Sequence, residues 1–353
     1  DLNIYPIYFP QYYNIIENNT LFYDGFTDAK SLSLTPESFE KLTPSFKEYN
    51  ISKIVDYNLL NISILNKQIE ILDEYNFKGF SMYYYWFSRN DLNEKKNYCH
   101  ILNTPIDLFF SNSVSLGDKK IYFVWCNESW SNNESFSKTD FHCKIENYYT
   151  ENDINIHIDY LMKYFKNDNY LKIDNKPVFS IHHPGLINDK ELELIKNIFN
   201  KKCLDNDFDG IELMINTMSN DYENIDFSKY IHNFNYKKNS NTFYGPENQG
   251  YLDFKKYYEQ HKPSYDKINM LTFDFDNRTR LLLPNKLKKS TIVFNNSEFE
   301  KIKIINKLKS EKIKNKNILL INSWNEWGER MAIEPSNEYG YYYLNLINEY
   351  LGV

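Results

Sequence analysis

Eight short apolar runs recur along the chain, separated mostly by segments whose apolar residues return every three or four positions. The runs lie near Asn3–Phe9, Gly79–Tyr85, Lys120–Trp125, Pro177–Ile181, Gly210–Ile215, Tyr230–Phe234, Lys267–Phe273 and Asn317–Asn322, and they predict β-strands. Amphipathic helices are expected near Asn61–Tyr75, Asp153–Phe165, Asp189–Phe199, Leu252–Gln260 and Ser297–Leu308, with a closing helix over Tyr341–Leu351. Ile64, Leu65, Ile69 and Leu72 show the pattern of one buried helical stripe. Eight strands alternating with helices predict an α/β fold, a single (β/α)₈ TIM barrel over residues 1–353 with long loops at its C-terminal face. The alternative, a doubly wound open sheet, normally carries a Gly-rich phosphate turn after its first strand, and Phe9-Pro10-Gln11 offers none.

In a barrel the C-terminal strand ends meet at one mouth, where active sites are built. Polar and aromatic residues cluster at these ends. Gln11 follows the first strand and Asp28 lies in the loop beyond it. Tyr84, Tyr85 and Trp86 end the second strand; Asn127, Glu128 and Trp130 follow the third. His182 and His183 follow the fourth, Asn216 the fifth, and Asn235 with Tyr236 the sixth. The seventh supplies Asp274, Asp276, Asn277 and Arg280. After the eighth, Ile318–Ile321 runs into Trp324-Asn325-Glu326-Trp327-Gly328-Glu329, two carboxylates three positions apart among indole rings. Paired carboxylates are the usual means of breaking a glycosidic bond, and aromatic faces suit the apolar C–H faces of sugars. A solvated strand end is the plain alternative for two acids alone, but the interleaved tryptophans and amide argue for a carbohydrate cleft.

Composition narrows the partners. A net charge of −7 argues against nucleic acid, and the basic stretch Lys301–Lys316 reads as a solvated helix and turn. No apolar window is long enough for a membrane span. Cys99, Cys126, Cys143 and Cys203 form neither a disulfide framework nor a paired metal spacing, and no zinc signature surrounds the histidines, so no metal and no cofactor is expected. Reduced thiols fit a cytoplasmic setting. The chain opens on Asp1 without a signal stretch, as expected of a module cut from a longer protein. Tyr and Phe number 31 and 25, an aromatic share inflated together with Asn, Lys and Ile, so only aromatics at strand ends are counted as functional.

An ordered series of motifs resembles the glycoside hydrolase family 99-like domain, in the branch called WbsX. It comprises Tyr8-Phe9-Pro10-Gln11-Tyr12, Asp24-Gly25-Phe26-Thr27-Asp28, Gly79-Phe80 with Tyr83-Tyr84-Tyr85-Trp86-Phe87, and Trp125-Cys126-Asn127-Glu128-Ser129-Trp130. It continues through Tyr170–Pro177, Phe275-Asp276-Asn277-Arg278-Thr279-Arg280, Trp324–Glu329, Glu334-Pro335 and Tyr339-Gly340. That branch is found in bacterial O-antigen and surface-polysaccharide gene clusters, often under the label glycosyltransferase. The resemblance implies a barrel acting on glycans, with mannose-containing chains the best-understood substrates of family 99. It implies that Glu326 assists attack by the sugar's own 2-hydroxyl, while Glu329 protonates the leaving oxygen and later activates water. Gln11, Asp28, Tyr84, Trp86, Asn127, Glu128, Trp130, His182, Tyr236, Asp276, Asn277, Asn325 and Trp327 are the expected substrate contacts.

Four positions depart from the resembled pattern. Asp28 stands for Glu, Ala29 for Trp, Arg330 for Gly and His182 for Tyr. Arg330 is expected to pair with Glu329 and lower its pKa, which would hurt a general acid. Three functions therefore compete: a retaining, endo-acting glycosidase; a transferase or transglycosylase in surface-glycan assembly; and a silent glycan-binding barrel. The expected partners are a glycan or polysaccharide and other domains of a larger glycan-assembly protein.

Overall fold

The apolar runs form strands buried on both faces, the state in which a strand reads as an unbroken hydrophobic stretch. In Lys120–Trp125, Tyr122 turns into the barrel and meets Tyr5 at 6.0 Å between ring centroids, while Phe123 turns out against Phe110 and Tyr164. The computed structural model describes residues 2–35, 41–90, 99–131, 144–216, 231–234, 250–251, 268–276, 292–294, 298–299, 301–302, 305–306 and 318–352. Its barrel strands are β1 (Asn3–Tyr8), β2 (Gly79–Phe87), β3 (Lys120–Trp125), β4 (Lys176–Ile181), β5 (Glu212–Asn216), β6 (Ile231–Phe234), β7 (Ile268–Leu271) and β8 (Ile318–Ile321). Each is parallel to its neighbours in sequence order. β8 returns to β1, with Asn3 opposite Ile318, so the ring closes as an eight-stranded barrel.

All eight expected strands are present, with shifts of a few residues at their ends. β2 runs on to Phe87 because a short antiparallel strand, Cys99–Ile101, pairs with its last turn outward, Trp86 opposite His100. Its first residue, Gly79, has φ +144°, and a Cβ there would lie 1.6 Å from the Lys120 carbonyl oxygen. Only glycine permits β2 to start this close to β3.

The helices begin where side-chain oxygens can hold their free N–H groups. Asn61 caps Ile62–Glu74, Thr150 caps Glu151–Phe165, and Asn188 with Glu191 forms a capping box on Asp189–Leu204. Tyr342–Leu351 closes the chain and ends on Gly352 in the left-handed conformation. The expected helix over Leu252–Gln260 lies outside the described residues. Of Ser297–Leu308, residues 298–299, 301–302 and 305–306 are helical. Lys301 forms a buried ion pair with Asp274 at 2.9 Å, and Tyr343 donates a hydrogen bond to the same carboxylate. The residue after β7 expected at the mouth is thus engaged in tying the helix layer to the strand.

Candidate active site

Beyond β8 the chain folds into a tight hairpin. Asn325–Glu326 pairs antiparallel with Met331–Ala332, and Trp327–Glu329 forms one 3₁₀ turn at the tip. Glu326 caps that turn and Glu329 ends it, so the two carboxylates flank a single turn. Both carboxylates act on the buried Tyr83 hydroxyl. Burial pushes that hydroxyl well above its ordinary pKa, and Cys126, Glu326, Glu329 and Glu128 add to the shift. Tyr83 therefore stays a neutral hydrogen-bond donor among the acids.

Glu326 is gripped from several sides. Its own N–H donates to the Ser323 hydroxyl at 2.9 Å. The Tyr12 hydroxyl donates to the carbonyl oxygen of Asn325 at 2.7 Å and accepts from the N–H of Trp327 at 3.0 Å, so one phenol bridges the residues on either side of Glu326. The Asn325 side chain is committed to the barrel, accepting from the Phe9 N–H at 2.7 Å and donating to the Phe9 carbonyl at 3.0 Å. Both groups of its amide are thus used against the main chain of β1's end, and it is fully buried. Below the hairpin, the Glu334 carboxylate accepts from Tyr49, Tyr57 and Gln68.

The same device recurs across the mouth. Asn127 accepts from the His183 N–H at 2.8 Å and donates to the His183 carbonyl at 2.9 Å, clamping β3's end to β4's. In both places the next residue is a glutamate, Glu326 in one and Glu128 in the other. Glu128 meets the Nε2 of His183 at 2.7 Å. Burial alone would raise the Glu128 carboxyl, but the hydrogen bond from His183 and the charges of His182 and His183 outweigh it and lower it to about 2. The ligand-capable atoms of Glu128, His182 and His183 all lie within 4.8 Å of one another, the one such cluster among the described residues.

The remaining expected residues separate into those at the mouth and those away from it. Asp276 is buried on a short strand, Phe275–Asp276, that packs against the Trp327–Glu329 turn, and the helix Asp28–Leu34 packs on the same turn. Trp130 is half-buried and edge-on to Tyr85 at 5.5 Å, and His182 is edge-on to Tyr83 at 5.1 Å. Gln11 is partly exposed just beyond β1. Tyr84 and Trp86 lie elsewhere, on the outer side of β2. They stack on His157 of the helix Glu151–Phe165 at 5.7 and 4.8 Å, and burial keeps that imidazole neutral. Trp327 is fully enclosed in the core. Arg330 adopts the left-handed conformation at φ +55°, which glycine takes freely, and donates to the Tyr339 hydroxyl at 3.1 Å. Tyr236 and Asn277 lie outside the described residues. Tyr83, Tyr85, Tyr12, Ser323 and His183 enter the site without having been among the expected contacts. For the first two, strand alternation was the available signal, but its phase was hidden in the run Tyr83-Tyr84-Tyr85-Trp86.

The fold and site together define a closed (β/α)₈ barrel with a carboxylate pair after its last strand and a third acid across the mouth. The chain belongs to the family described as glycosyltransferase WbsX, whose model matches residues 4–347. Over 99% of its length it superposes on 97% of the GH99 endo-alpha-mannosidase from Bacteroides thetaiotaomicron, with a TM-score of 0.58 at 14% identity. A structure described as a glycoside hydrolase-like protein superposes with a TM-score of 0.59 at 13% identity, over 100% of this chain and 94% of that one. An uncharacterized protein WxcX from Xanthomonas campestris pv. campestris is 24% identical over 181 residues, 51% of this chain. The match spans 24% of that relative's length. Among the described residues no helix is long and apolar enough to cross a membrane.

Proposed function

We propose that this barrel is a carbohydrate-active enzyme, a retaining, endo-acting glycosidase for a mannose-like glycan, with Glu326 and Glu329 as its working pair. What supports the reading is that both carboxylates, flanking one 3₁₀ turn beyond β8, act on the same buried Tyr83 hydroxyl. In this reading Glu326 takes the proton of the sugar's 2-hydroxyl as that oxygen attacks C1, and Glu329 protonates the departing glycosidic oxygen. Water then opens the resulting 1,2-anhydro sugar, giving its proton to Glu329 while Glu326 returns one to O2. Two displacements at C1 leave the configuration retained. Trp130 and Tyr85 supply the aromatic wall, and the grip on Glu326 by Ser323 and Tyr12 fixes the base before substrate arrives.

The test is a screen of wild type, Glu326→Gln and Glu329→Gln against α-mannosides and bacterial polysaccharides, with products read by mass spectrometry. Release by wild type is expected, with loss in both variants on natural glycans. Glu329→Gln should keep activity on substrates whose leaving group needs no proton. Equal activity of all three proteins on both substrate types would refute the assignment. The family's description favours one second reading, a transferase in surface-glycan assembly, in which an acceptor hydroxyl takes the place of water at the same acids. Transfer products in the presence of added acceptor glycan, without free sugar, would select it.

A further inference from the structure

We propose that Glu128, His182 and His183 form a binding site for a divalent transition-metal ion, zinc before others, on the wall of the barrel mouth opposite the Glu326 hairpin. The site leaves the proposed working pair, Glu326 and Glu329, untouched, although Glu128 and His182 are among the expected substrate contacts.

The donors come from the ends of two adjacent strands, β3 and β4, and converge only in the fold. Two imidazole nitrogens and one carboxylate oxygen are a donor set that suits zinc, with an open fourth position. Bonds of about 2.0–2.2 Å place tetrahedral donors roughly 3.4 Å apart. The three ligand-capable atoms lie within 4.8 Å of one another, so side-chain rotations of about an ångström close the set. At present Glu128 Oε1 and His183 Nε2 are 2.7 Å apart and joined through one proton. An incoming ion displaces that proton to solvent, and both atoms turn a lone pair to the metal.

The frame behind these donors is already fixed, which reduces the ordering cost of binding. Asn127 clamps both main-chain groups of His183, and the Asn147 amide in turn donates to the Asn127 carbonyl at 3.2 Å. The His182 N–H donates to the Trp125 carbonyl at 2.9 Å, and its ring rests edge-on against Tyr83. His182 is 7% exposed, whereas the side chains of His183 and Glu128 are 29% and 38% exposed, leaving a way in for an ion and for an oxygen ligand such as a sugar hydroxyl. An ordinary glutamate–histidine ion pair is the rival account, and the experiment separates the two.

The full chain, stripped with chelator, is titrated with zinc chloride alone by isothermal calorimetry, beside Glu128→Gln and His183→Ala. A single saturable site that weakens by about tenfold or more in both variants is expected. No saturable binding by wild type, or a smaller loss in either variant, overturns the proposal. Should a variant fail to fold, as read by circular dichroism in chelator, wild type loaded with cobalt(II) decides. A visible spectrum of four-coordinate cobalt supports the site, and one of hydrated six-coordinate cobalt rejects it.

Discussion

Replacing Tyr12 with phenylalanine removes a single oxygen from the site and tests whether the grip around Glu326 matters. The ring would keep its packing, edge-on to Phe9 at 5.9 Å and to Tyr57 at 5.2 Å. What is lost is the bridge between the Asn325 carbonyl and the Trp327 N–H, both in the buried hairpin. Two buried hydrogen bonds at roughly 1 kcal/mol each, with part of the desolvation left uncompensated on their partners, put the loss near 3 kcal/mol. For 353 residues at about 2.1 cal/mol/K of unfolding entropy each, that lowers Tm by about 4 °C. The hairpin is also freed to shift Glu326, and a displacement of an ångström costs up to about a hundredfold in turnover. Calorimetry and glycan-release kinetics on the same protein read both effects, with kcat falling and KM little changed. A Tm and a turnover both equal to wild type would show that the phenol bridge neither holds the hairpin nor positions the base.

Gly79→Ala should prevent folding, because its Cβ would sit 1.6 Å from the Lys120 carbonyl oxygen; recovery of soluble protein with a wild-type melt would contradict the close approach of β2 to β3. Trp130→Ala should weaken glycan binding by about 1–2 kcal/mol, whereas Trp327→Ala should cost about 3–5 kcal/mol of stability as a core truncation. Reversal of the two effects in binding and melting assays would exchange the wall and core assignments. Glu334 links stability to pH. Burial raises its carboxyl from 4.5 to about 7 despite the hydrogen bonds from Tyr49, Gln68 and Tyr57. The native state thus keeps a proton that the unfolded chain releases. This contribution is complete below the unfolded pKa and is lost, about 3 kcal/mol in all, as pH rises through the native one. Denaturant titrations at about pH 5 and about pH 8 should show a decline that Glu334→Gln abolishes, and an equal decline in the variant would assign it to other groups.

Strands buried on both faces are nearly pure apolar runs, so the sequence alone determined all eight barrel strands and their order. Apolar periodicity placed three helices within two residues of their observed starts, which the caps Asn61, Thr150 and Asn188 fix locally, because caps act on neighbours a few positions away. The spacing of Glu326 and Glu329 was legible for the same reason, since one 3₁₀ turn is a local structure. Only the tertiary structure decided which aromatics of β2 face the mouth. Tyr83-Tyr84-Tyr85-Trp86 shows no polar position to set the phase, and the helix carrying His157 claims Tyr84 and Trp86 from outside. Nor did the motifs reveal that Asn127 and Asn325 serve as clamps. Their partners, His183 and Phe9, lie far along the chain and meet them only where neighbouring strands end together in the closed ring.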